Sequence, residues 1–332
     1  MTRLLPTLAL GAAALVLAKK LTEKPYDLAG KVVLITGGSR GLGLVLARQL
    51  ADEGAKLALC ARSVEELRAA QAEFDAKNVP CVTYVADVAS EADARRVVHD
   101  TAVHYGRLDV LINNAGIITV GPIETMTLKD YHDAMNVNYF GALHFMLAVR
   151  DVMKAQGGGR IVNIASIGGK VAVPHLVPYS ASKFALSGLS KGWRSELAKD
   201  GVVVTTVHPG LISTGSPRNA DFKGQHELEY AWFAVADNLP GLAQKVEDCA
   251  RETIAALKAG RAEIVTSIPG KVLAFLGAVL PGVMADANAL QNVLLPKPGG
   301  VGTQKRKGSE SETALTQKLP RKQEAELANN EL

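Results

Sequence analysis

From Lys31 onward, short runs rich in Val and Ile alternate with longer amphipathic stretches: VVLIT at 32–36, KLALC at 56–60, VTYVA at 82–86, LDVLI at 108–112, RIVNIA at 160–165, VVVTTV at 202–207 and AEIVT at 262–266. Near-continuous apolar runs mark strands buried on both faces, and helical stretches between them serve as the crossovers that parallel strands require. The pattern predicts an α/β fold with a doubly wound, parallel, seven-stranded sheet and helices on both faces. In such sheets ligands sit beyond the carboxyl ends of the strands, near the point where strand order reverses. Functional residues are therefore expected directly after each strand.

The first such position holds Thr36-Gly37-Gly38-Ser39-Arg40-Gly41-Leu42-Gly43, leading into a helix from about 42 to 53. Glycines there allow a tight turn and let backbone N–H groups approach a pyrophosphate at a helix N-terminus. A nucleoside triphosphatase is disfavoured because no G-x-x-x-x-G-K-[ST] loop is present. The second strand ends at Cys60-Ala61-Arg62-Ser63, with no carboxylate at its tip to receive the ribose 2′-hydroxyl of NAD. Arg62 and Arg40 can instead clamp the 2′-phosphate of NADP, which makes NADP(H) the expected cofactor and NAD(H) the alternative. After the third strand, Asp87 and Val88 are placed to meet the adenine ring, unless Asp87 only begins the next helix.

Charge and side-chain inventory exclude other classes. The net charge of +4 comes from residues 1–20 and 301–332, which leaves the body with equal numbers of acidic and basic side chains. That balance argues against nucleic acid as the main ligand. Cys60, Cys81 and Cys249 are too few and too scattered for a disulfide framework or a Cys-x-x-Cys metal site, and are read as reduced and buried. The seven histidines form no pair with metal-ligand spacing, so no metal is expected.

Further along come Asn113-Asn114-Ala115-Gly116 after the fourth strand, Asn138 in NVNYFG, Ser166 in IVNIASIGG, Tyr179-Ser180-Ala181-Ser182-Lys183, and His208-Pro209-Gly210 with Thr214 after the sixth strand. Together and in this order, these motifs resemble the short-chain dehydrogenase/reductase family over about residues 28–266. Ala165, where many relatives carry a second serine, is the one small departure. The resemblance implies a Rossmann-type fold and a catalytic set of Asn138, Ser166, Tyr179 and Lys183. It also implies that Asn114, Ala115, Gly116, Tyr179, Lys183, Pro209, Gly210 and Thr214 join the glycine-rich turn around the cofactor. In the family pattern Lys183 binds the nicotinamide ribose, Ser166 donates to the substrate oxygen, and Asn138 holds a water that links Lys183 to solvent. Elementary chemistry agrees on the central pair. Tyr179 and Lys183 are four apart, hence on one helix face, and the Lys183 ammonium would favour the phenolate of a group whose ordinary pKa is about 10.

Between Leu211 and Pro240 the periodicity breaks down. In the family this region closes over the substrate, and here it offers Phe222, Tyr230, Trp232 and Phe233, with Val171, Val173, His175 and Leu176 opposite. Ser166, Tyr179, Phe222 and Trp232 are the expected substrate contacts, and an apolar, lipid-like ketone is the expected substrate. Leu4–Ala18 is an uncharged run bracketed by Arg3 and by Lys19 and Lys20. It reads as an anchor within residues 1–20 that holds the domain at the cytoplasmic face of a membrane, with a cleaved signal peptide or a soluble helix as rivals. Residues 267–300 form an apolar extension in which Pro269 and Pro281 break any spanning helix, leaving a pocket cover, a subunit interface or a second membrane-surface contact. Residues 301–332 are expected to be a disordered polar tail. A homo-oligomer is expected from the resemblance. The expected activity is carbonyl–alcohol interconversion, with an NAD-linked dehydrogenase or a membrane-tethered NADP-binding scaffold without turnover as alternatives.

Overall fold

The apolar runs become β1 (Val32–Thr36), β2 (Lys56–Ala61), β3 (Cys81–Val85), β4 (Val110–Asn113), β5 (Gly159–Ile164), β6 (Val202–His208) and β7 (Glu263–Val265). In this computed structural model, which describes residues 24–239, 241–319 and 325–331, they form one sheet in the order β7-β6-β5-β4-β1-β2-β3. Every pairing in it is parallel. The fold is therefore the expected Rossmann-type α/β sheet, and its order reverses between β1 and β4. The anchor expected within 1–20 lies outside the described residues.

Both faces of the sheet are buried, and the period of two is visible within single strands. Val33 and Ile35 of β1 join one core cluster, whereas Val32 and Leu34 join the other. The first cluster takes in α1 (Gly41–Asp52), α2 (Val64–Ala76) and α8 (Val246–Lys258). The second takes in α3 (Glu91–Tyr105) and α5 (Gly141–Ala155), with Leu197 at the end of α6 (Val177–Leu197). Each such Leu, Val or Phe contributes about 1.5–3 kcal/mol on burial, which makes this sandwich the rigid frame on which the strand ends are presented. Cys60 and Cys249 are buried within it and Cys81 is partly buried; all three are free thiols.

A smaller layer caps the carboxyl end of the sheet. Thr119–Val120, Asp221–Phe222 and Arg306–Lys307 form a three-stranded sheet, and α7 (His226–Asn238) packs on it through Tyr230 and Phe233. The expectation of a disordered tail from 301 onward is corrected here. Residues 301–319 cross the cap, Ser311 and Thr316 are fully buried, Arg218 pairs with Glu312, and Lys305 reaches Asp130, Asp133 and Asp221. Composition alone misreads this stretch because charged side chains that would solvate a free chain find opposite charges on the cap.

Two helices follow β7 where Pro281 interrupts the run 264–285: α9 (Ile268–Val279) and α10 (Pro281–Leu294). No helix among the described residues is long and apolar enough to cross a membrane. Ile268, Phe275, Val283, Leu290 and Leu294 are all more than half exposed.

The cap is fastened by an ion pair inside it. Lys223, 2% exposed, places Nζ 2.5 Å from Asp130 Oδ2, and Asp130 also receives the Thr127 N–H that starts α4 (Leu128–Met135). Burial raises the Asp130 carboxyl, but Lys223 and Thr127 outweigh it and hold it at about 2. The carboxylate's contribution is therefore present above its ordinary range near 4 and is lost as pH falls towards about 2. Lys223→Met removes the buried partner of Asp130 and leaves it only the part-exposed Lys305, whose Nζ lies 3.3 Å from Oδ1, so it is expected to cost up to about 3–5 kcal/mol at neutral pH, measured by urea unfolding. The difference from wild type should shrink between about pH 4 and pH 2; a constant difference would assign the loss to packing.

Candidate active site

The turn after β1 works because three of its glycines stand where side chains cannot. Gly37 (φ +63°) and Gly41 (φ +54°) adopt a left-handed conformation, and a Cβ on Gly43 would lie 2.0 Å from the Gly37 carbonyl oxygen. Arg40 is extended and precedes α1, so the first N–H groups of that helix point out of the turn. The segment after β4 locks against it. Thr36 Oγ1 accepts the N–H groups of Asn114 and Ala115 at 3.0 and 3.1 Å, and Asn114 Nδ2 donates to the carbonyls of Thr36 and Gly37. Gly116 lies where a Cβ would meet Asn138 Oδ1 at 3.0 Å and Lys183 Nζ at 3.5 Å, so the cofactor turn and the catalytic candidates form one continuous surface.

Asn138 is positioned by a backbone irregularity. Residues Asn136–Phe140 form one turn of π-helix, a feature that concentrates at functional sites. The Asn138 side chain accepts the Ile117 N–H at 2.8 Å and donates to the Ile117 carbonyl and to Ser182 Oγ. Ser166 follows β5 and its hydroxyl accepts the Gly168 N–H at 3.0 Å. His208 Nδ1 lies 2.9 Å from the Ser166 carbonyl, with Glu263 on its other ring nitrogen, and Ile167 N–H reaches the Pro209 carbonyl. Gly210 packs against Ser267.

Tyr179 and Lys183 share a face of α6, with Lys183 Nζ 5.7 Å from the centre of the Tyr179 ring and 2.9 Å from the Ile164 carbonyl. Burial pushes the Tyr179 phenol up, while hydrogen bonding with Ser166 draws it down. Burial alone brings Lys183 down to about 8. The expected lowering of Tyr179 by Lys183 is therefore not what governs this protein state: desolvation wins on both groups. The sequence pattern conveys proximity of Tyr179 and Lys183 but carries no information on their burial.

At the far end of the turn Arg62 is exposed, with no hydrogen bond or ion pair among the described residues, and Arg40 Nε lies 3.6 Å from Glu66. Glu66, at the start of α2, also accepts from Ser39 Oγ at 2.7 Å; this carboxylate beside the turn was not anticipated, since it lies beyond the strand tip. Asp87 accepts the Ala89 N–H in a local turn, Ser90 caps α3 instead, and Val88 packs against Gly141. Leu42 is buried at the start of α1. Thr214 is buried and its hydroxyl pairs with Ser216.

On the substrate side the structure separates the two expected aromatic contacts. Phe222 is fully buried inside the cap, edge-on to Tyr230 and Phe233, so it builds the cap instead of facing a ligand. Trp232 is partly exposed and donates Nε1–H to Glu229 at 2.8 Å. Glu229 also holds His175 Nδ1 at 2.8 Å. His175 has φ +62°, a strained value for a side chain with a Cβ, and its carbonyl is held by the Gly121 N–H. No group of His, Cys, Asp or Glu among the described residues could hold a metal ion.

A glycine cradle at a helix N-terminus, flanked by Asn and Ser after neighbouring strand ends and by Tyr and Lys on one face of α6, is the architecture of a nicotinamide-dinucleotide-linked oxidoreductase. Residues 31–223 match the family model for short chain dehydrogenase, and the chain belongs to that family, whose members bind NAD(P) and act on CH–OH or carbonyl groups. It is 36% identical over 189 residues to gluconate 5-dehydrogenase of Gluconobacter oxydans, covering 57% of this chain and 74% of that protein. Against 3-alpha-(or 20-beta)-hydroxysteroid dehydrogenase of Mycobacterium tuberculosis it is 38% identical over 188 residues, covering 56% and 71%. Among solved structures, a short-chain dehydrogenase from Streptomyces avermitilis is similar with TM-score 0.67 and 28% identity, over 80% of this chain and 97% of that one. A gluconate 5-dehydrogenase from Burkholderia cenocepacia in complex with NADP and tartrate gives TM-score 0.65 and 29% identity, over 74% and 96%.

Because Lys183 is depressed to about 8, its charged form is held in burial at a cost below that pH, and the cost fades as pH rises from about 8 towards the ordinary value near 10. Lys183→Met is therefore expected to raise Tm near neutrality, by a margin that narrows towards pH 10. Thermal unfolding across pH checks this, and a lower Tm at neutral pH would contradict it.

Proposed function

We propose that the protein is an NADP(H)-dependent carbonyl reductase whose substrate is an apolar, lipid-like ketone. The observation that carries this reading is the single surface on which the glycine cradle, Ser166, Tyr179 and Lys183 meet. The residues of that surface suit the cofactor: Gly37, Gly41 and Gly43 carry no side chain that would meet a pyrophosphate, the α1 N-terminus favours negative charge, and Arg62 is exposed and would reach a 2′-phosphate. Residues Thr36, Ser39, Arg40, Asn114, Ala115, Gly116, Pro209, Gly210 and Thr214 would hold the remainder. When bound, the nicotinamide supplies the hydride. Tyr179 Oη donates its proton to the oxygen of the carbonyl as negative charge develops there, and Ser166 Oγ donates a hydrogen bond that orients that oxygen. Lys183, next to the Tyr179 ring, stabilises the phenolate left behind and passes it a proton drawn from solvent through a water held at Asn138.

Support for an apolar substrate comes from the cap, where Val120, Leu176, Phe222, Tyr230 and Phe233 form a core against which Val173, Tyr179 and Trp232 pack. The apolar helices α9 and α10 border the same loop, with Gly277 against Val171 and Asn288 donating to the Ala172 carbonyl. These exposed helices and the basic-flanked run Leu4–Ala18 support a place at the cytoplasmic face of a membrane. The relative named as a hydroxysteroid dehydrogenase agrees with a bulky apolar ketone. Exposed Phe140, Leu147 and Phe184, on the helices that carry Asn138 and Tyr179, support a homo-oligomer. Glu66 favours a second reading, NAD(H) as cofactor, because its carboxylate lies beside Arg40 and Ser39.

Tyr179→Phe is expected to lower ketone reduction by about 10²–10⁴-fold while NADPH affinity stays within about twofold, measured by single-turnover kinetics and equilibrium binding. A variant that keeps its activity would remove Tyr179 from the mechanism. Arg62→Ala is expected to weaken NADPH by about 10–100-fold and leave NADH unchanged. Unchanged selectivity would favour the NAD(H) reading.

A further inference from the structure

The segment 325–331 lies directly on the glycine-rich turn. The Asn329 carbonyl accepts the Gly41 N–H at 2.8 Å, and its Nδ2 donates to the Thr214 carbonyl at 3.3 Å. Asn330 Nδ2 donates to the Ser39 carbonyl at 3.0 Å and to the Glu66 carbonyl at 3.4 Å. The Glu331 carboxylate accepts Arg40 Nη1 at 2.9 Å and Asn219 Nδ2 at 2.7 Å. Upstream, the Ala328 carbonyl accepts Arg48 Nη1 at 2.8 Å, and the Glu326 backbone closes on Gly215 so tightly that a Cβ there would lie 3.0 Å from its nitrogen. Glu326, Asn329 and Glu331 are 3%, 2% and 3% exposed, so this is a packed contact and not a loose strand on the surface.

The course of the segment, from Thr214 across Gly41 to Ser39 and Glu66, runs over residues assigned above to the dinucleotide after β6 and β1. It also uses the same chemistry. A pyrophosphate at the α1 N-terminus needs the outward N–H groups, a nearby cation and the clearance that glycine provides. Here the Gly41 N–H is spent on Asn329, the Arg40 guanidinium on Glu331, and the Glu331 Oε1 atom stands 2.5 Å from where a Gly41 Cβ would be. The carboxylate fills the anion position, and burial pushes it up to about 7 against the pull of Arg40 and Asn219. Donor, cation and clearance cannot serve two ligands at once.

We propose that segment 325–331 is an intramolecular competitor for the dinucleotide site, and that the cofactor binds only after the segment has left the turn. The inference rests on reading that turn as the cofactor site. Its energetic consequence is simple: a site open for a fraction of the time binds with its intrinsic constant divided by that fraction, so a segment seated for nine-tenths of the time weakens apparent affinity about tenfold. The device would couple cofactor loading to whatever draws the segment away.

Two measurements on the full chain test it. The dissociation constant for NADPH is measured for wild type and for Glu331→Lys, which repels Arg40 without altering the turn. Hydrogen exchange over 325–331 is followed in wild type with and without NADPH. The expected results are an NADPH affinity about tenfold tighter in Glu331→Lys, and faster exchange at 325–331 when NADPH is present. Equal or weaker binding by the variant overturns the proposal. So does protection of 325–331 by NADPH, which would make the segment a cover over the bound cofactor. If neither protein binds NADPH, the cofactor reading fails and takes this inference with it.

Discussion

The structure depends on a backbone-to-backbone approach that side chains would forbid: the first turn of α1 closing onto the end of β1, with Gly43 against the Gly37 carbonyl. That contact brings the helix N-terminus to the switch point of the sheet, where the strand order reverses between the paired β1 and β4. Thr36 and Asn114 then stitch β4's end to the turn, and Gly116 carries the surface onward to Asn138 and Lys183. A methyl group at Gly43 would separate α1 from β1 and with it the helix N-terminus from Asn138, Tyr179 and Lys183. Everything chemical in the protein is arranged around one tight turn.

Burial sets the character of the groups beyond it. Tyr179 is raised and Lys183 is lowered to about 8 by desolvation, which biases the pair towards its neutral forms. A neutral tyrosine is the form that donates a proton to a carbonyl, which suits the proposed reduction. The cap contributes in another way. Its anchoring pair, Lys223 with Asp130, and its strand from residues 306–307 hold the aromatic cluster over the strand ends while the sheet beneath stays fixed.

Most of the frame was legible in the sequence because it depends on periodicity. All seven strands lie within one or two residues of their apolar runs; Gly37 and Ser166 follow the ends of β1 and β5, whereas Tyr179 and Lys183, inside α6, are picked out by the resemblance to the family motif and by their four-residue spacing. Side chains governed by tertiary packing were less legible. Phe222 in the irregular region read as a ligand contact, yet it is the centre of a cap core formed with residues far along the chain. The tail was misread for a related reason: its Lys and Glu residues match partners such as Asp221, Arg218 and Arg40, which no local pattern reveals. Within 325–331 the buried residues are Glu326, Asn329 and Glu331 while Leu327 is exposed, so hydropathy gives no local sign of this packed contact.

Hydride transfer to a carbonyl carbon is read most directly by isotope transfer with the full chain. NADPH carrying deuterium at nicotinamide C4 is mixed with a panel of long-chain, steroid and retinoid carbonyls, and the products are examined by mass spectrometry. Deuterium is expected on the carbinol carbon of an apolar product. Tight NADPH binding without label transfer to any of them would contradict the proposed reductase and favour a protein that holds the dinucleotide without turning it over.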